Sequence, residues 1–131
     1  MDIKYAKTRP NLILGIDFDG TIVTHEFPAI GTPVPGALDT LRDFNKRGYK
    51  LILWTVRSGD PLNDAIEFLE REGIEFVGYN KNPNQKSWSD SNKAYCNLYI
   101  DDAALGCPLI YPENGDRPYV DWERVREVFE I

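Results

Sequence analysis

Ile16-Asp17-Phe18-Asp19-Gly20-Thr21 closes the first apolar run of the chain and decides how the rest is read. Leu12, Ile13, Leu14 and Ile16 form a nearly continuous apolar stretch within residues 11–18, the pattern of a strand covered on both faces. Side chains alternate along a strand, so Asp17 and Asp19 are expected on one side and Phe18 on the other, in the core. Gly20 lets the backbone leave the strand through conformations that a Cβ opposes. Two carboxylates then stand at the end of a strand, where open α/β sheets bind ligands.

Outward from this stretch, apolar runs alternate with helical periods. Residues 22–36 hold Pro28, Gly31, Pro33, Pro35 and Gly36 and read as a loop or small hairpin. Leu38, Leu41 and Phe44 line one side of a helix over 37–47, stopped by Gly48. Leu51, Ile52, Leu53 and Trp54 predict a second buried strand, placing Thr55 at its carboxyl end. Asp60 as cap and Pro61 as first turn open a helix with Leu62, Ala65, Ile66 and Leu69 on one face, closed by Gly73. A short strand over 74–79 and a polar loop over 80–91 follow, and a loop this long in a compact domain is often functional. Residues 97–100 form a fourth strand running into Asp101-Asp102, residues 108–111 a fifth, and Asp121 caps a last helix with Trp122, Val125, Val128 and Phe129 inward. The expectation is one α/β domain over residues 1–131: a helix-sheet-helix sandwich on a mainly parallel sheet of about five strands.

The 131 residues carry a net charge of -6, with 27% charged and 42% hydrophobic residues, a globular balance. The acidity and the lack of a Lys/Arg cluster argue against a general nucleic-acid surface. No apolar run has the length of a membrane span, and residues 1–10 lack the apolar region of a signal peptide, so the expected compartment is the cytoplasm. Cys96 and Cys107 fit no metal-ligand spacing and read as reduced thiols.

Three strands of a parallel sheet thus end in chemistry at one edge: Asp17 and Asp19, Thr55, and Asp101-Asp102. With a lysine before the last of these strands, the order resembles that of the haloacid dehalogenase superfamily, most of whose members are magnesium-dependent phosphohydrolases with a Rossmann-like sheet. The resemblance rests on Asp17-Phe18-Asp19-Gly20-Thr21, Leu53-Trp54-Thr55 and Tyr99-Ile100-Asp101-Asp102, and spans nearly the whole chain. It implies hydrolysis of a phosphomonoester through a phosphoaspartate on Asp17, with Mg2+ held by Asp17, the Asp19 backbone carbonyl and the Asp101-Asp102 pair. It assigns the Asp19 side chain to protonate the leaving oxygen and then activate water. Thr55 is implied to hydrogen-bond a phosphoryl oxygen, and Lys93 to be the site lysine, with Lys81 and Lys86 as rivals. Alternation along a strand keeps Asp101 and Asp102 on opposite sides, so one ligates and the other supports; related double-acid sites favour Asp102 as the ligand.

The chemistry is consistent on its own terms. A carboxylate approaching a phosphate ester meets repulsion of about 4 kcal/mol for unit charges roughly 4 Å apart at an effective dielectric near 20, which a divalent cation offsets. Clustered carboxylates form a hard oxygen site suited to magnesium. Gly20 and Thr21 belong to the expected substrate loop, and Arg57 either steers phosphate or forms a surface ion pair. His25 reads as an exposed loop residue, with substrate contact as the alternative, and Trp88 is the aromatic candidate for substrate contact. The gaps after Thr21 and between Thr55 and Lys93 are too short for a folded cap. A capless, open site suits a phosphorylated small molecule, a macromolecular end, or a neighbouring subunit acting as lid. The competing readings are a phosphoacceptor receiver domain, whose double acid would follow its first strand, and a non-catalytic binding domain on the same fold.

Overall fold

The computed structural model describes residues 11–131; the reading of residues 1–10 as lacking a signal peptide lies outside them. The elements run β1 (Ile13–Ile16), α1 (Ala37–Lys46), β2 (Lys50–Leu53), α2 (Gly59–Arg71), β3 (Gly78–Tyr79), β4 (Leu98–Ile100), β5 (Leu109–Ile110), β6 (Tyr119–Val120) and α3 (Trp122–Phe129). The fold is mixed α/β, with a four-stranded parallel sheet in the order β3-β2-β1-β4. Ile16 is in register with Leu53 on one side and Ile100 on the other, so the three strands end abreast. Whatever follows them emerges at one edge.

Alternation sorts the strand residues onto two unequal faces. Leu14, Ile16, Leu51 and Leu53 join Leu41 and Phe44 of α1, Ala65 and Leu69 of α2, and Trp122, Val125 and Phe129 of α3 in the main core. Ile52 belongs to a smaller cluster with Ala94 and Cys96, against which Ile13, Trp54 and Tyr99 pack. Gly15 makes that second face possible, because a Cβ there would lie 2.8 Å from the Tyr99 ring and 2.9 Å from Cys96 Sγ. The expected helix-sheet-helix sandwich is corrected accordingly. All three helices share the main core, and the opposite face is covered by the irregular chain between β3 and β4. That chain is tied by its own side chains: Gln85 donates to the Lys93 carbonyl at 2.9 Å and accepts from the Tyr95 N–H at 2.7 Å.

The expected fifth strand does not extend the parallel sheet. Leu109 and Ile110 pair antiparallel with Val120 and Tyr119 as a separate two-stranded unit. The helix after Thr55 starts at Gly59 with Ser58 as its cap residue, two positions earlier than Asp60 and Pro61 suggested, and Asp60 sits in its first turn. Asp121 does cap the last helix, accepting from the Arg124 N–H. Cys96 and Cys107 are free thiols. Among the described residues no helix is long and apolar enough to cross a membrane.

Candidate active site

β1 ends at Ile16, so Asp17 through Thr21 already lie beyond the strand. The Phe18 carbonyl accepts from the N–H groups of Thr21, Ile22 and Val23, winding this segment into a tight turn with Gly20 at φ 82°. The alternation that would place Asp17 and Asp19 side by side therefore stops three residues short of Asp19. Asp17 remains fixed to the sheet, its N–H donating to the Ile100 carbonyl at 3.0 Å, which sets it beside Asp101-Asp102.

Carboxylate oxygens of Asp17, Asp101 and Asp102 lie within 4.8 Å of one another. Both members of the double acid reach this cluster, against the expectation that only one would. β4 ends at Ile100, and Asp101 caps the turn that follows by accepting from the Ala103 N–H at 2.8 Å. Thr21 joins the ends of the motif, donating its hydroxyl to Asp17 Oδ2 at 3.0 Å and accepting from the Asp102 N–H at 3.2 Å. Burial is the first cause lifting the Asp17 carboxyl to about 8 from an ordinary 3.8; the hydrogen bond with Asp102 and the charges of Asp101 and Asp102 push the same way. Three convergent oxygen donors with no cationic side chain in the cluster fit a hard divalent cation such as magnesium or calcium.

Asp19 faces elsewhere. Arg57 Nε donates to its Oδ2 at 2.8 Å and Nη2 to its Oδ1 at 2.7 Å, a bidentate pair. Nη1 donates to the Pro28 and Pro61 carbonyls and Nη2 also to that of Ala29, so all five guanidinium N–H groups are engaged within the protein. The Arg57 side chain is fully buried, its guanidinium stacked 4.9 Å from the Phe18 ring centre and 5.2 Å from that of Phe27. Neither expected role for Arg57 fits: it is no surface ion pair, and it holds no donor free for phosphate. The Asp19 backbone carbonyl, by contrast, accepts no hydrogen bond among the described residues.

Thr55 follows β2 as expected. Its N–H donates to Asn80 Oδ1 at 2.7 Å, and its hydroxyl oxygen accepts from the Arg57 N–H at 3.1 Å, which leaves the hydroxyl proton to donate. Lys93 is exposed, with Nζ 5.5 Å from the Tyr99 ring centre. Lys81 and Lys86 line a polar cavity with Asn80. No lysine of the three forms an ion pair among the described residues. Trp88 is exposed, packed edge-on against Tyr95.

The residue that sequence reasoning underrated is His25. Its side chain is only 15% exposed, and Nε2 lies 3.0 Å from Asp102 Oδ2. A Cβ on Gly20 would collide with the His25 ring and with Asp102 Oδ2, so glycine is required there for space as well as for its φ. The signal was the glycine itself, whose missing Cβ admits a side chain five residues on.

A solved structure of a conserved protein coded by a locus of Bacteroides thetaiotaomicron is 35% identical to this chain, covers 91% of it and 89% of its own length, and superposes with a TM-score of 0.75. The chain belongs to the same protein family. The likeness carries the fold, and the chemistry is argued from the site. No protein-family model and no curated protein matches the chain.

Proposed function

We propose that the chain is a capless, Rossmann-like phosphohydrolase of the haloacid dehalogenase type, hydrolysing a phosphomonoester with magnesium. The convergence of Asp17, Asp101 and Asp102 at the edge where β1 and β4 end carries this reading. Asp17 is the nucleophile. A carboxylate oxygen bonds to phosphorus while the ester oxygen departs with a proton, and water then cleaves the acyl phosphate to regenerate the carboxylate and release phosphate. Asp17, Asp102, Asp101 and the Asp19 carbonyl would hold the cation, whose charge offsets the repulsion between carboxylate and phosphate.

Other side chains supply the rest of the chemistry. Thr21 orients the Asp17 carboxylate through its hydroxyl hydrogen bond. The Thr55 hydroxyl proton is available to a phosphoryl oxygen. For Asp19 to move protons as the resemblance assigns, one of its oxygens must let go of Arg57. Lys93 is the lysine the family pattern favours; Lys81 and Lys86 share their cavity with Asn80, which is bonded to Thr55. The test is release of inorganic phosphate from para-nitrophenyl phosphate. Turnover is expected with magnesium and none with a chelator, and equal rates in both would refute the reading.

A further inference from the structure

A second feature adjoins the acidic cluster. Between residues 24–32 and residues 115–119 lies a cavity of about 450 Å3, within the range of small-molecule sites, lined by Thr24, His25, Glu26, Asp116, Arg117 and Tyr119 among others. His25 joins this cavity to the cluster, because the ring that forms part of its wall is 3.0 Å from Asp102 Oδ2. Both walls are anchored. The Thr24 N–H donates to the Thr32 carbonyl at 2.8 Å, and Thr24 Oγ1 accepts from the Thr32 N–H at 3.0 Å. On the other side the Val120 N–H donates to the carbonyl of Gly20 itself at 3.0 Å.

The lining groups state what they can bind. Glu26 and Asp116 only accept hydrogen bonds, Arg117 only donates, and the Thr24 hydroxyl keeps its proton to donate after accepting from Thr32. Neither Glu26 nor Arg117 forms an ion pair among the described residues. An anionic substituent would meet two carboxylates against one guanidinium. Hydroxyl groups both donate and accept, so they satisfy the acids and the arginine together. Resting on the phosphohydrolase reading, we propose that this cavity receives the alcohol portion of the phosphomonoester, and that this portion is a neutral, hydroxyl-rich sugar or polyol carrying no second phosphate.

The test measures kcat/KM of the full chain with magnesium on fructose phosphate, fructose bisphosphate and para-nitrophenyl phosphate. Fructose phosphate is expected to exceed the bisphosphate by about tenfold, the scale of one hydrogen bond made or repelled in a binding site. Arg117→Ala and Thr24→Val should each lower the ratio of fructose phosphate to aryl phosphate by about three- to tenfold. Asp116→Asn should raise the bisphosphate relative to the monophosphate. Preference for the bisphosphate, or ratios unmoved in all three variants, overturns the proposal while aryl phosphate turnover keeps the phosphohydrolase reading. Failure of the unaltered protein to hydrolyse any of the three overturns both.

Discussion

Arg57 directs every one of its N–H donors to the protein, and two of them bind Asp19. Removing one partner of a buried pair leaves the other charge uncompensated, which costs about 3–5 kcal/mol. Arg57→Met is therefore expected to lower the unfolding free energy by about that amount in urea titration, and Asp19→Leu in the same chain to recover part of it. An Arg57→Met protein as stable as the parent would show that the pair contributes little. Asp17 gives a prediction of opposite chemical sense. Its folded carboxyl titrates near 8 against 3.8 unfolded, so the folded state holds a proton that the unfolded state has lost between those values. The metal-free protein is fully favoured by this group below about 4 and loses that contribution as pH rises through about 8. Thermal unfolding with chelator should show the midpoint falling across this window. Magnesium should oppose the fall, and Asp17→Asn should flatten it.

Helix α3 supports the motif from behind. Trp122 is fully buried, and its Nε1 donates to the Thr21 carbonyl at 2.7 Å, while the Thr21 hydroxyl bridges Asp17 and Asp102. Trp122→Phe keeps the aromatic packing but leaves a buried carbonyl unpaired, an expected loss of about 1–3 kcal/mol in denaturant titration. The helices and the first, second and fourth strands were legible in the sequence because their apolar patterns follow burial, the helices on one face of the sheet and the strands on both. The Asp121 cap was legible for a local reason, a side chain that bonds three residues on. What was not legible depends on contacts distant in sequence. The Asp19–Arg57 pair spans 38 positions and His25–Asp102 spans 77, and neither leaves a local pattern. Strand alternation misplaced Asp19 and one of Asp101 and Asp102 because both strands end before the acids begin. The two-residue β5 pairs with β6, and a sequence this short says nothing about which sheet it joins.

At the scale of the whole molecule, the parallel sheet brings the ends of β1, β2 and β4 to one edge, and no folded cap stands over it among the described residues. Helices line one face, and the chain between β3 and β4 closes the other, so Asn80 at the start of that chain can bond the Thr55 N–H. The acidic cluster lies where the strands end, with the His25 cavity beside it. In the proposed mechanism Asp17 attacks phosphorus at this edge. The decisive measurement is magnesium-dependent phosphate release from para-nitrophenyl phosphate by Asp17→Asn, set against the parent protein at matched thermal stability. Release at the rate without enzyme is expected; turnover by Asp17→Asn near that of the parent would contradict an Asp17 nucleophile.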